Sequence, residues 1–174
     1  MESDAHKTIR SVRSVTFLVF IGFLAVALVW LFAMSRIEGK RVNLKTRNAF
    51  EAALKGADSV RIKKGMFAKE ELLFESRDSN VINGLFENIK LAKYGADNFC
   101  DCGGDLKFEF YKQGQLTFEF TFHHQFKIRW DGFHKDIKLT KESREFLIRW
   151  VLQNVKDKDV IEQFKNPYKG YSSR

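Results

Sequence analysis

Residues 106–122 read LKFEFYKQGQLTFEFTF, and this stretch decides the fold. Leu106, Phe108 and Phe110 alternate with Lys107, Glu109 and Tyr111. After Lys112-Gln113-Gly114-Gln115, Leu116, Phe118, Phe120 and Phe122 alternate with Thr117, Glu119 and Thr121. Successive side chains of a strand point to opposite faces, so the two runs predict an antiparallel hairpin with one phenylalanine-lined face and one polar face. A sheet that is apolar on one face needs a covering layer, and the flanking sequence supplies it.

Downstream, Phe126, Ile128 and Trp130 alternate again, Asp131-Gly132 is a two-residue turn signal, and Ile137 and Leu139 are placed to close the sheet. Thr140 caps a helix whose buried stripe is Phe146, Leu147, Trp150, Val151 and Val155. Upstream, Val60-Arg61-Ile62 and the ELLFE run at 71–75 read as short strands. Asp78 or Ser79 then caps a helix in which Val81, Ile82, Leu85, Phe86 and Ile89 share one side. The order is ββα-ββββ-α: an α+β domain, with an antiparallel sheet of about five to six strands and two helices packed on one face.

Residues 15–34, VTFLVFIGFLAVALVWLFAM, carry no charge. At 1.5 Å per residue, twenty helical residues span about 30 Å, the thickness of a bilayer's hydrocarbon core. A cleaved signal peptide has a shorter apolar core, and an interfacial helix needs a polar face that this segment lacks. The chain therefore divides into a short basic N-terminal tail (1–14), a transmembrane helix (15–34), a basic juxtamembrane linker with helical character (35–57), the α+β domain (58–155) and a charged tail (156–174). The expected location is single-pass membrane. Positive charges after the helix argue for a cytoplasmic domain, whereas the short basic N-tail has the form of a signal anchor. The export reading is favoured.

The formal charge of +8 is concentrated outside the folded part: residues 1–57 hold nine Lys/Arg against four Asp/Glu, and residues 58–155 hold sixteen against fifteen. A nearly neutral domain lacks the electrostatic footprint of a nucleic-acid binder. The basic flanks instead suit anionic lipid headgroups, so the expected partners are the bilayer and a protein in or at the membrane, with no nucleic acid.

Few residues offer chemistry. Cys100-Asp101-Cys102-Gly103-Gly104-Asp105 precedes the hairpin and His123-His124 ends its second strand, so both lie at the same end of the sheet. Two thiolates and an imidazole form a reasonable zinc set: Cys100, Cys102, His124 and Asp105, with His123, Asp101, Arg129 and His134 as further polar candidates. Strict alternation places His124 with the phenylalanines and His123 on the polar side. The competing structural reading has the cysteines buried or paired and the glycines making a turn; a third reading is a redox thiol. Asp131, His134 and Asp136 form a weaker acid/base set. Nucleotide-binding, metalloprotease and serine-hydrolase motifs are absent.

The block Cys100-x-Cys102-Gly103-Gly104-Asp105, the F-E-F-Y strand, His123-His124 and Arg129-Trp130 resembles a group of uncharacterised bacterial proteins over residues 97–150. The resemblance implies that the Cys-Gly-Asp loop and the histidine pair belong to a recurring domain, and it carries no activity. The functional expectation is a membrane-tethered binding or accessory protein. Its rivals are a metal-dependent or thiol-based enzyme centred on the Cys loop and a structural subunit of a membrane complex.

Overall fold

The computed structural model describes residues 2–65, 71–98, 100, 103–133 and 135–166, with side chains from residue 20 onward. It divides into a first unit, Met1–Gly39, and a second, Lys40–Arg174. The first unit is a single helix, α1 (Glu2–Gly39). Among the described residues it is the one helix long and apolar enough to cross a membrane, and none of its apolar window is buried.

The second unit is α+β. Its elements are α2 (Leu44–Leu54), β1 (Ser59–Lys64), β2 (Leu72–Ser76), α3 (Ser79–Asn88), β3 (Leu91–Asp97), β4 (Leu106–Lys112), β5 (Gln115–His123), β6 (Lys127–Arg129), β7 (Asp136–Leu139), α4 (Lys141–Asn154) and α5 (Lys158–Lys165). The expected hairpin is β4–β5, in which Leu106 pairs with Phe122, Phe108 with Phe120 and Phe110 with Phe118. Its two-residue turn is Gln113-Gly114, both at positive φ.

The sheet has seven antiparallel strands in the order β2-β1-β4-β5-β6-β7-β3, which corrects the expected five or six and the ββα-ββββ-α order. The added strand is β3. Its sequence, LAKYGAD, has no alternation to betray it, and its pairing with β7 is irregular between Leu91 and Ala96. β7 therefore does not close the sheet; β3 lies outside it. Residues 40–42 run antiparallel along β3's free side, with Val42 N–H donating to the Lys93 carbonyl (2.8 Å) and Ala96 N–H to the Lys40 carbonyl (3.0 Å).

The helices do share one face, but four rather than two bury side chains there. Phe50 of α2 meets Phe118, Phe120 and Trp130. Phe86 of α3 meets Phe110, Trp150 of α4 meets Phe74 and Phe108, and Phe164 of α5 meets Phe122. Phe50, Phe108, Phe110, Phe120 and Phe122 are all essentially inaccessible to solvent. Fully burying one such ring contributes about 1.5–3 kcal/mol, so this layer dominates the stability of the unit. Side-chain caps fix the helix starts: Asp78 for α3, Thr140 for α4 and Asp157 for α5.

Candidate functional site

The opposite face of the sheet carries the odd-numbered, polar side chains. Over β1, β2, β4 and the start of β5 these neutralise one another. Arg61 pairs with Glu75 (3.1 Å), Lys63 with Glu109 (3.0 Å) and Lys107 with Glu119 (2.9 Å). Glu109 is buried, which alone would raise its pKa; the Tyr111 hydroxyl, Lys63 and Lys107 outweigh burial and hold it below the ordinary carboxylate value. A cleft of about 320 Å³ opens beside this region, lined by Arg61, Arg77, Tyr111 and Gln113 among others.

Over β5, β6 and β7 the polar face is different, because the chain crosses it. β3 lies beyond β7 at one edge and β4 beyond β5, so the β3–β4 connection must pass over three strands. Its contacts trace that path. Cys100 N–H donates to Asp136 Oδ2 on β7 (3.2 Å), and Arg129 of β6 donates to the Cys100 carbonyl (2.8 Å). Gly104 sits over β5, where a Cβ would lie 3.1 Å from Thr121 and 3.2 Å from His123. Gly104 has φ +82°, a conformation glycine adopts without steric cost. The crossing segment explains why Thr121, His123 and Asp136 are buried although they sit on the polar face.

Arg129 and Asp136 form the site's frame. The guanidinium donates through Nε to Asp136 Oδ1 (2.7 Å) and through a terminal nitrogen to Oδ2 (3.2 Å), and Asp136 is completely buried. A buried carboxylate requires such a partner. Together the two side chains hold both the N–H and the C=O of Cys100.

The sulfur of Cys100 is disulfide-bonded. Around it lie His124 Nε2 at 3.2 Å, His123 Nδ1 at 3.6 Å and an Arg129 terminal nitrogen at 3.6 Å. The other ring nitrogen of His123 is hydrogen-bonded to the Thr121 hydroxyl (2.5 Å). Burial, followed by the field of Arg129, lowers the His123 pKa from 6.5 to about 4. Burial also lowers that of His124. Both rings are therefore neutral at pH 7.

His124 does not continue β5 onto the phenylalanine face. It and Gln125 form the β5–β6 turn with φ of 51° and 59°, closed by Phe126 N–H donating to the His123 carbonyl (3.1 Å). Two consecutive left-handed residues without a glycine are costly, on the order of 1 kcal/mol or more each. This conformation turns the His124 ring towards Cys100. Asp105 holds the turn from below, accepting from Gln125 N–H (3.1 Å) and from Gln163 of α5 (2.7 Å). Its burial raises its pKa despite these bonds.

Of the residues singled out in the sequence, Cys100, His123, His124 and Arg129 converge, and Asp105 braces the same turn. Asp101, Cys102 and His134 lie outside the described residues. Asp136 belongs to the frame rather than to an acid/base set with Asp131, which is exposed on its turn. Among the described residues no group of three or more His, Cys, Asp or Glu is arranged to hold a metal ion. The Arg129–Asp136 clamp and Thr121 went unread in the sequence. Their signal was present in the period-two pattern, which puts Thr121, His123 and Arg129 on one face.

No family model, no curated protein and no solved structure matches this chain.

Proposed function

We propose that the protein is a single-pass, membrane-anchored accessory protein whose α+β domain, on the exported side, exchanges disulfides through Cys100 and Cys102. The observation that carries this reading is the setting of the Cys100 sulfur, ringed by two imidazoles and a guanidinium. Export is supported by the disulfide itself, since such bonds persist in oxidising compartments. The anchor is α1.

In the proposed cycle Cys102, the chain's other cysteine, is the partner of Cys100, and the thiolate of a client dithiol attacks this S–S bond. A mixed disulfide forms, the internal bond breaks, and the released sulfur leaves as a thiolate. The client's second thiolate then attacks the client's own sulfur in the mixed disulfide, closing the client's disulfide and releasing the remaining protein cysteine as a thiolate. Two electrons have passed from the client, which ends as a disulfide, to the protein, which ends as a dithiol. Arg129 supplies positive charge, and neutral His124 supplies an N–H, to the Cys100 thiolate. Both favour the ionised thiol, lower its pKa below the usual 8.5 or so, and make the disulfide more oxidising.

The test is a redox and pH titration of the full chain in detergent. Thiolate absorbance of the reduced protein reports the pKa, and equilibration with a glutathione buffer reports the potential. A thiol pKa at least one unit below 8.5, rising in Arg129→Met, supports the proposal. An ordinary pKa, or a disulfide that glutathione cannot reduce, would leave the bond a structural one and sink it.

A further inference from the structure

The first residues after α1 are stitched into the sheet edge through the two hydrogen bonds between residues 40–42 and β3. This brings two separate basic stretches together. Residues 40–48 and β3 (91–97) hold five Lys/Arg against one acidic residue, Asp97, which pairs with Lys127 (3.0 Å) and Lys138 (3.6 Å). Lys40–Arg174 as a whole has 26 basic and 19 acidic residues, so this edge accounts for a net four of an excess of seven. Lys40, Arg41, Lys45 and Lys93 are exposed. Beside them stand two of the few large apolar side chains exposed outside α1, Leu44 (61 %) and Tyr94 (50 %).

Chain length fixes how near a bilayer this edge must be. α1 continues as helix for five residues beyond the apolar segment, to Gly39. At 1.5 Å per residue that is about 8 Å, the depth of the headgroup zone. Lys40 follows directly.

We infer that the β3 edge of the domain docks on the surface of an anionic bilayer, with Lys40, Arg41, Lys45 and Lys93 against headgroup phosphates and carboxylates, and Tyr94 and Leu44 in the interfacial layer. Charge complementarity selects the lipid, and an exposed tyrosine beside lysines is suited to the boundary between water and hydrocarbon. The inference rests on α1 spanning the membrane. It goes beyond that reading by giving the folded domain its own lipid-binding face.

The test uses the full chain in nanodiscs of phosphatidylcholine alone or with about one third phosphatidylserine, and reads lysine acetylation by mass spectrometry. Lys93 decides the matter, being distant in sequence from the anchor. Acetylation of Lys40, Lys45 and Lys93 is expected to slow several-fold in the anionic discs and to recover in high salt. Lys112, exposed at the hairpin turn, is expected to react equally in both. Equal rates at Lys93 in the two lipids, or protection that survives high salt, would overturn the docking and leave the anchor standing. Extraction of the chain from vesicles by alkaline carbonate would instead remove the anchor, and the inference with it.

Discussion

Acidification is expected to destabilise the domain through His123, by an amount that can be worked out. The ring is fully buried, and its pKa falls from 6.5 to about 4 because burial, followed by Arg129, disfavours the imidazolium. The unfolded chain binds a proton near pH 6.5, whereas the folded chain refuses it until about pH 4. The contribution is therefore fully present above pH 6.5 and is lost as the pH falls through that window. At roughly 1.4 kcal/mol per pH unit, the gap corresponds to about 3 kcal/mol. Replacing His123 by Gln retains a hydrogen-bonding group towards Thr121 and removes the titration. Urea unfolding of both proteins in detergent, followed by near-UV circular dichroism between pH 7.5 and 4, measures the difference. Wild type is expected to lose about 3 kcal/mol more than the variant across the window. Parallel pH profiles would refute the reasoning, because Glu109 and the other carboxylates titrate identically in both proteins.

Two further outcomes follow from the same geometry. Gly104→Ala places a methyl group at φ +82° against Thr121 and His123 and is expected to cost about 1–3 kcal/mol; Gly84→Ala, inside α3 with nothing within 4 Å, should stabilise by about 0.5–1 kcal/mol, and thermal melts compare the pair. Asp136→Ala strands Arg129 and the Cys100 N–H and should cost about 3 kcal/mol, while Arg129→Met combined with Asp136→Leu restores much of it; additive losses in that cycle would show that the two side chains do not act as a unit.

Much of the domain was legible because its core is written in alternating phenylalanines. Phe108, Phe110, Phe118, Phe120 and Phe122 state both the strands and the buried face, and Asp78 and Thr140 announce the two central helices. β3 was not legible. LAKYGAD mixes exposed and buried residues around an irregular pairing and is held by partners distant in sequence, Leu139, Ile137 and residues 40–42. Phe50 and Phe164 were equally hidden, since a short helix with one or two apolar anchors looks like a linker until the surface beneath it is known. The site was half visible. Proximity of Cys100 to the histidines followed from hairpin geometry. The turn of His124 towards Cys100 and the burial of His123 did not, because they depend on a glycine-free left-handed turn at His124-Gln125 and on a crossing segment that buries part of the polar face.

The position of β3 also dictates the order in which this chain is completed during translation. Leu91–Asp97 is made before the hairpin, yet its ladder partner is Asp136–Leu139, the last strand to leave the ribosome. Until residue 139 has emerged, β3 has only residues 40–42 beside it and lacks the ladder partner that joins it to the sheet. Pairings of such long sequence separation form slowly. The sheet is thus completed by docking an early-made edge onto a late-made one, and a nascent chain halted at the hairpin exposes the phenylalanine face with its sheet unfinished and α4 and α5 still to come.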